Sequence, residues 1–309
     1  MASKHFQCTR CGRCCRASIP LGLAEALDHD ESFLLALVFS METWNLDDFA
    51  ANRPVLPITH EDLFTTLAFR KDKLAMDASR DLVFRVGRAP SGTQRLATFV
   101  TVGAAALGDF HAGQARCPSL APDDTCSIYD RRPLGCRVFP LDPLFPEMLQ
   151  HVPLAGLETR LPCDFSPQAP EIWREGSLTD PEALALLARR QETIRRDSLF
   201  LPYYRVAAEA FRPMPTLPEI LKSLGGNGRL DLPFAPALVY LTAAGAISPE
   251  RAERCLERQT ALARKAVEQA LARKDKAERA RTAVLRNCLS LMESFTGRIA
   301  QAADTAPKG

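Results

Sequence analysis

The spacing of hydrophobic residues along the chain predicts mainly helices. Between residues 23 and 49, apolar side chains recur three and four positions apart, around Leu34 and Val38, which predicts one or two helices. Thr59 is followed three residues later by Asp62, a pairing typical of a capping box. A further helix is therefore expected to begin there and to run through Phe69.

One β-hairpin is predicted in the first half of the chain. Residues 82–88 and 96–102 are rich in valine, phenylalanine and threonine, the side chains that favour strands. They flank Pro90, Ser91 and Gly92, which favour a turn. No other stretch gives as clear a strand pattern.

The second half of the chain carries two signals for the start of a helix. Asp180 and Ser248 are each followed by a proline and a glutamate, so a capping side chain, a preorganised first residue and an acidic group coincide. Beyond Ser248 the residues favour helix almost without interruption to about Ala303. We expect a long helix there, or an antiparallel pair of helices that turns near Lys274.

Composition describes a globular chain of 309 residues with a net charge of +2, which gives no general attraction to nucleic acid or to a membrane. The longest apolar run, residues 232–247, is shorter than the ~18 residues of a membrane span and contains two prolines, so it is interpreted as a core helix. The basic residues from Arg264 to Arg281 alternate with acidic ones, which is typical of a solvated helix face. No nucleic-acid or membrane partner is predicted.

Four of the ten cysteines lie within eight residues near the N-terminus, in the order F-x-C-x-x-C-G-x-C-C from Phe6 to Cys15. Core packing does not explain thiols at such short, fixed intervals. They are interpreted as metal ligands, since a C-x-x-C unit brings two sulfur atoms toward one ion. Polar residues precede them without an apolar signal segment, so we expect the cytosol, where thiols are kept reduced.

The adjacent cysteines Cys14 and Cys15 are not expected to form a disulfide with each other. Neighbouring Cα atoms are about 3.8 Å apart, below the roughly 4.4 Å minimum of ordinary disulfides. In an extended backbone their side chains would also point to opposite faces, which makes it difficult for both to bind the same ion. This favours two metal centres, or one polynuclear centre.

The remaining cysteines divide into clustered and isolated ones. Eight of the ten precede residue 164, and eight thiols form two sets of four, the ligand number of a structural zinc site or of an iron–sulfur cluster. Cys255 and Cys288 stand alone among apolar residues and are predicted to be core residues. His5 precedes the first thiol but is not needed as a ligand.

The sequence resembles the YkgJ-type cysteine-cluster family in two separate motifs. These are C-x-x-C-G-x-C-C from Cys8 to Cys15 and C-x-I-Y-x-x-R-P-x-x-C-R-x-F-P from Cys126 to Pro140, with Cys117 before the second motif and Cys163 after it. The family is described by a zinc- or iron-chelating domain, and some members are named flagellin lysine N-methylases. The resemblance covers the first half of the chain and implies this ligand set: Cys8, Cys11, Cys14, Cys15, Cys117, Cys126, Cys136 and Cys163.

Basic and aromatic residues accompany both motifs. Bases such as Arg10 and Arg13 can offset the negative charge of metal-bound thiolates. In the second motif, some residues are expected to orient the ligands without binding the metal themselves: Tyr129, Arg131, Arg132 and Arg137.

Together these features predict an α+β fold, mainly α, in two consecutive domains. Residues 1–170 would form a small, metal-stabilised cysteine-cluster domain with an inserted helical and β-hairpin segment, and residues 171–309 a helical domain that ends in a long helix or helical hairpin. Thiolate ligation is worth about 10–16 kcal/mol and a typical domain is stable by about 5–15 kcal/mol, so the first domain is expected to depend on its metal.

Three functional alternatives remain open. The favoured one is a cytosolic protein that binds zinc or an iron–sulfur cluster through eight thiolates, with a helical half that docks on it or recruits a protein partner or substrate. The second is a protein-lysine N-methylase, which would use S-adenosylmethionine; neither a G-x-G-x-x-G motif nor C-x3-C-x2-C spacing occurs. The third is a thiol-based metal store or redox sensor.

Overall fold

A computed structural model gives the fold, which is α+β and mainly helical. The residues that it describes are 3–16, 18–46, 58–76, 84–88, 95–107, 109–111, 114–210, 215–224, 228–274, 276 and 279–301. The strands among them are β1 Ser3–His5, β2 Ile19–Leu21, β3 Leu35–Asn45, β4 Phe84–Arg88, β5 Arg95–Ala106, β6 Asp109–His111, β7 Gln114–Arg116, β8 Glu171–Arg174, β9 Ser177–Leu178 and β10 Arg229–Pro233. The helices are α1 His60–Leu74, α2 Leu134–Arg137, α3 His151–Glu158, α4 Pro181–Ser198, α5 Phe200–Ala210, α6 Leu217–Leu224, α7 Ala235–Ala243, α8 Pro249–Arg273 and α9 Arg279–Phe295.

The chain divides into two compact units, each assembled from separated stretches. The first unit consists of Met1–Cys15, Glu42–Val100 and Ser119–Ser198, and the second of Arg16–Met41, Thr101–Pro118 and Leu199–Gly309. Compactness does not test whether a segment folds on its own. The predicted domain boundary near residue 170 therefore stays a prediction.

The first unit contains a three-stranded antiparallel sheet in the order β1-β8-β9. Helix α1 packs against α4, and α2 also packs against α4. Val138 and Leu141 lie buried with Leu187 of α4 in one apolar cluster. This packing attaches the segment that follows Cys136 to helix α4.

The second unit is built on antiparallel strands in the order β10-β3-β5-β2. Its longest helices, α8 and α9, pack against each other, and α8 also packs against α7. The side chain of Gln259 on α8 is buried and donates to the backbone carbonyls of Asp30 and Phe33 at 2.8 and 2.9 Å, while accepting from the Leu35 amide at 2.7 Å. This one amide therefore joins α8 to the start of β3.

Several predicted helix ends are confirmed. Thr59 and Asp62 form both hydrogen bonds of a capping box at the start of α1. The Asp180 carboxylate accepts from the amide of Glu182 at 2.9 Å, and the Ser248 hydroxyl accepts from that of Arg251 at 3.3 Å. Helix α8 ends at Arg273, the next residue, Lys274, has a left-handed φ of 53°, and α9 returns along α8 as an antiparallel partner.

The β-hairpin is confirmed for the described residues, since β4 pairs antiparallel with β5 in a register that joins Arg88 to Arg95. Its predicted turn, Pro90 to Gly92, lies outside them. The run 232–247 does contain a helix, α7, although Leu232 and Pro233 belong to strand β10.

The helices predicted between residues 23 and 49 are wrong in their second part. Residues 35–45 form strand β3, which lies between β10 and β5, and in the described part of this stretch, which ends at residue 46, the one helical segment is the short 3₁₀ helix Glu25–His29. Residues 35 to 39 are buried in succession. A strand buried on both faces shows no polar alternation, and its apolar run is then indistinguishable from a helix pattern.

The expectation of a single hairpin is also wrong. Further antiparallel pairs join β1 to β8, β8 to β9, β6 to β7, β2 to β5 and β10 to β3. Most of these strands are two to five residues long, too short for a period-two pattern to stand out. Among the described helices, none combines the length and the apolar content that a membrane crossing would need.

Candidate metal centre

Cys8 and Cys163 adjoin an isolated antiparallel bridge between Gln7 and Asp164 in the first unit. Gln7 and Asp164 exchange two backbone hydrogen bonds, of 2.8 and 3.1 Å, and the Thr9 hydroxyl donates to the Pro162 carbonyl at 3.3 Å. In an antiparallel register the next residue on one chain opposes the preceding residue on the other. The bridge therefore brings the backbone of the cysteine that starts the first motif beside that of the last cysteine of the predicted set.

Cys163 has other thiols around it. Burial and then the charges of Cys11 and Cys8 raise the pKa of Cys163 to about 11, with a smaller contribution from Cys14, whereas a hydrogen bond from the Thr9 backbone amide acts in the opposite direction. Electrostatic influence of this kind requires proximity. The stretch that carries Cys8 and Cys11 therefore lies close to the stretch that carries Cys163.

Gly12 joins the first motif to the stretch before Cys126. Its φ is +66°, and a Cβ atom placed there would lie 2.8 Å from the carbonyl oxygen of Asp124 and 3.0 Å from a side-chain carbon of Leu120. Leu120 in turn forms an antiparallel bridge with Cys126. Only glycine allows this backbone conformation and this approach together.

The turn that ends at Cys126 was not identified from the sequence. The Asp123 carboxylate accepts from the backbone amide of Thr125 at 3.1 Å and from its hydroxyl at 2.7 Å, and Asp124 has a left-handed φ of 63°. These hydrogen bonds hold the pKa of the exposed Asp123 below its usual range. The consecutive residues Pro122, Asp123 and Asp124 are the signal that indicates such a turn.

Cys14 and Cys15 lie in a 3₁₀ turn, Arg13–Cys15, and their sulfur atoms are 3.9 Å apart. The distance exceeds a disulfide bond of about 2.05 Å, so the prediction that this pair is not bonded agrees with the structure. The assumption of an extended backbone is wrong, however. The turn, closed by a 3.0 Å hydrogen bond from the Cys15 amide to the Gly12 carbonyl, brings both sulfur atoms to one side.

The thiol of Cys14 is exposed, and three influences raise its pKa. These are its hydrogen bond with Cys15, its partial burial and the charge of Cys15, while the positive charge of Arg132 acts in the opposite direction. Two thiolates side by side repel each other, so this pair holds a proton until a cation replaces it.

Tyr129 lies beside two guanidinium groups. Arg132 is centred 3.6 Å from the ring and Arg10 4.4 Å from it, and the Arg132 Nε donates to the Tyr129 carbonyl at 2.8 Å. Arg10 has a left-handed φ of 55°. Arg10 of the first motif and Arg132 of the second thus meet at one ring, and the supporting role of Tyr129 and Arg132 stays a prediction.

Cys136 lies in α2, where its amide donates to the Pro133 carbonyl at 2.9 Å. Three residues later, the ring of Phe139 contacts that of Phe6 with centroids 5.6 Å apart, and Phe6 also contacts Phe165 at 5.4 Å. Buried Phe6 thus holds the cysteine-bearing stretches together through apolar contacts.

The other predicted residues are placed as follows. Arg137 lies 3.8 Å from Glu182, and Arg131 is an exposed residue of the 3₁₀ helix Tyr129–Arg131. His5 Nδ1 is 2.8 Å from the Ala169 carbonyl oxygen, a position that makes it a hydrogen-bond donor. Cys117 belongs to the second unit, where it is buried immediately after β7.

Cys255 and Cys288 are buried in the second unit, as predicted for core residues. Burial is the main cause that raises the pKa of Cys255 to about 12 and that of Cys288 to about 11. Their thiols are inert at neutral pH.

The donor chemistry of the first unit suits a thiophilic metal ion. Seven of the eight predicted ligands belong to this unit, and all ten cysteines are free thiols. Within the described ranges, no group of three or more His, Cys, Asp or Glu side chains already has metal-holding geometry. Backbone contacts bring the cysteine-bearing stretches of the first unit together, and metal loading would have to draw their sulfur atoms into one coordination sphere.

Comparison with family models, with curated proteins and with solved structures gives no match to this chain. The fold and the thiol cluster define a mainly helical α+β protein with a cysteine-rich unit. Membership of the YkgJ-type family stays a prediction from the two motifs.

Proposed function

We propose that this chain is a metal-binding protein whose thiolates, drawn from the N-terminal motif and from the stretch around Cys126, Cys136 and Cys163, hold zinc or an iron–sulfur cluster. The observation that carries the proposal is the bridge between Gln7 and Asp164, which brings the backbone next to Cys8 beside the backbone next to Cys163. Cys117 remains in the proposed ligand set because the resemblance includes it.

The charges near the cluster support this proposal. A metal ion with four thiolate ligands is anionic, and neighbouring guanidinium groups lower the cost of that charge. Among the described residues, Arg10, Arg13 and Arg132 form no ion pair with a carboxylate. Among the acids that the structure describes, none therefore neutralises their positive charge.

The backbone around Cys8 and Cys163 also favours ligation. The Thr9 hydroxyl donates to the Pro162 carbonyl at 3.3 Å, and Gln7 and Asp164 exchange two backbone hydrogen bonds, so the segments that carry Cys8 and Cys163 are held side by side. The proposed location is the cytosol, since a reducing compartment keeps such thiols available. Methyl transfer rests on the resemblance alone, and no described contact favours it.

The experiment is anaerobic purification of the full chain, followed by a visible spectrum and by analysis of iron, zinc and acid-labile sulfide. A coloured protein with iron and sulfide identifies a cluster, and a colourless one with stoichiometric zinc identifies a thiolate zinc site. A protein that contains neither, and that takes up neither zinc nor a reconstituted cluster, contradicts the proposal. The variant Cys8→Ser should lower the metal content, whereas Cys288→Ala in the second unit should not.

A further inference from the structure

The sulfur atoms of Cys14 and Cys15 are 3.9 Å apart, a separation that matches two ligands of one ion. With zinc–sulfur bonds of about 2.3 Å and tetrahedral angles, two thiolates on the same zinc ion are about 3.8 Å apart. We propose that Cys14 and Cys15 chelate a single metal ion together, an inference that rests on the proposed function. The two cysteines then belong to one centre, although they are adjacent in sequence.

The backbone prepares this chelate before any metal binds. Residues 13–15 form a 3₁₀ turn, and the Cys15 amide donates to the Gly12 carbonyl at 3.0 Å. Gly12 is itself fixed by its left-handed φ and by its approach to Asp124. A ligand pair that is held in its bound arrangement loses little conformational entropy on binding.

The surroundings supply charge and further sulfur. Arg132 is centred 3.6 Å from the Tyr129 ring and Arg10 of the first motif 4.4 Å from the same ring, so both supply positive charge beside the motif. The bridge between Gln7 and Asp164 brings the backbone of Cys163 beside that of Cys8, so Cys8 and Cys163 are candidates to complete the ligand set. The exposure of Cys14 leaves a path by which the ion can enter.

The chelate restricts the kind of metal centre. Each iron of a four-iron cubane carries one protein thiolate, whereas each iron of a [2Fe–2S] cluster carries two and a zinc ion carries up to four. Two cysteines on one ion are therefore compatible with a zinc site or with a [2Fe–2S] cluster. They are incompatible with a four-iron cubane bound at this pair.

The test is anaerobic titration of the metal-free, full-length protein with Co(II). The wild type is compared with Cys14→Ser, with Cys15→Ser and with the double variant. The end point counts bound ions, and the sulfur-to-cobalt charge-transfer absorption reports how many thiolates each ion has. Cys288→Ala serves as the control, and circular dichroism of every variant verifies its fold.

If Cys14 and Cys15 share an ion, each single variant loses thiolate absorption, and the double variant binds at most one ion fewer than the wild type. Where the ion is retained, a four-thiolate centre loses about a quarter of its absorption in each single variant and about half in the double variant. The inference is overturned if the double variant binds two ions fewer, or if either single variant keeps its full absorption. If the wild type takes up no Co(II), the proposed function is overturned as well. Failure of the shared chelate alone can therefore be distinguished from failure of the proposed function.

Discussion

Gln7 and Asp164 form an isolated antiparallel bridge, with two mutual backbone hydrogen bonds of 2.8 and 3.1 Å, and Cys8 and Cys163 are the residues that adjoin it. In an antiparallel register the residue after Gln7 opposes the residue before Asp164, and facing Cα atoms at such a position are about 4.5 Å apart. The bridge consists of backbone hydrogen bonds and does not depend on a metal. We therefore expect the thiols of Cys8 and Cys163 to lie near each other in the metal-free protein.

This geometry predicts which disulfide forms when the metal-free protein is oxidised. Facing cysteines at about 4.5 Å lie within the range that a disulfide spans, whereas adjacent cysteines lie below it. With oxidised glutathione, the thiols of Cys8 and Cys163 should form one disulfide and release two molecules of reduced glutathione. Peptide mapping by mass spectrometry should find this link before any other, and a dominant link from Cys14 to Cys15 would contradict the register.

The substitution Gly12→Ala should destabilise the first unit and weaken metal binding. A left-handed backbone costs a residue with a side chain about 1–2 kcal/mol, and here the new Cβ would also lie 2.8 Å from the Asp124 carbonyl oxygen. Gly297→Ala is a matched control, since Gly297 has a φ of +69° and nothing within 4 Å of the corresponding position.

Urea denaturation and zinc affinity distinguish the two substitutions. We expect the Gly12 variant to lose more stability than the Gly297 variant and to bind zinc more weakly, because only Gly12 holds the first motif beside the stretch that leads to Cys126. Equal losses of stability in both variants would mean that the close approach contributes nothing.

The sequence predicted the chemistry of the candidate site better than its geometry. The cysteine motifs identified the thiols, because metal ligands recur at short intervals that core packing does not produce. The conformation at Cys14 was wrong, because the 3₁₀ turn depends on the left-handed φ of Gly12 and on a hydrogen bond to it. Sequence spacing alone does not determine which sulfur atoms meet.

For the fold as well, elements determined by local contacts were predictable and elements determined by long-range contacts were not. The helix starts at Thr59, Asp180 and Ser248 were predictable, because capping involves residues within one turn of each other. Strand β3 was not, since its pairing with β10 joins Leu37 to Leu232, far apart in the chain. Such partners override the local helical pattern.

Replacing Gln259 by leucine should strongly destabilise the second unit. The buried amide of Gln259 satisfies two backbone carbonyls and one backbone amide, and a buried polar group that loses its partner costs about 1–3 kcal/mol. We therefore expect a loss of about 3 kcal/mol in the free energy of unfolding, measured by urea denaturation. Gln269→Leu, at an exposed position on the same helix, should change it by less than about 0.5 kcal/mol.

Cys255 should make the stability of the second unit fall at alkaline pH. Burial, the charge of Asp30 and a hydrogen bond to it raise the pKa of this thiol from 9.0 to about 12, although Arg251 and Arg258 act in the opposite direction. Above pH 9 the thiol of the unfolded chain loses its proton while the folded one keeps it, so the stability that is fully present below pH 9 declines by about 1.4 kcal/mol per pH unit until the folded pKa is reached. Urea denaturation between pH 8 and pH 10, roughly the range in which this difference develops, should show a steeper decline for the wild type than for Cys255→Ala. Parallel declines would mean that the folded protein does not hold the proton on Cys255.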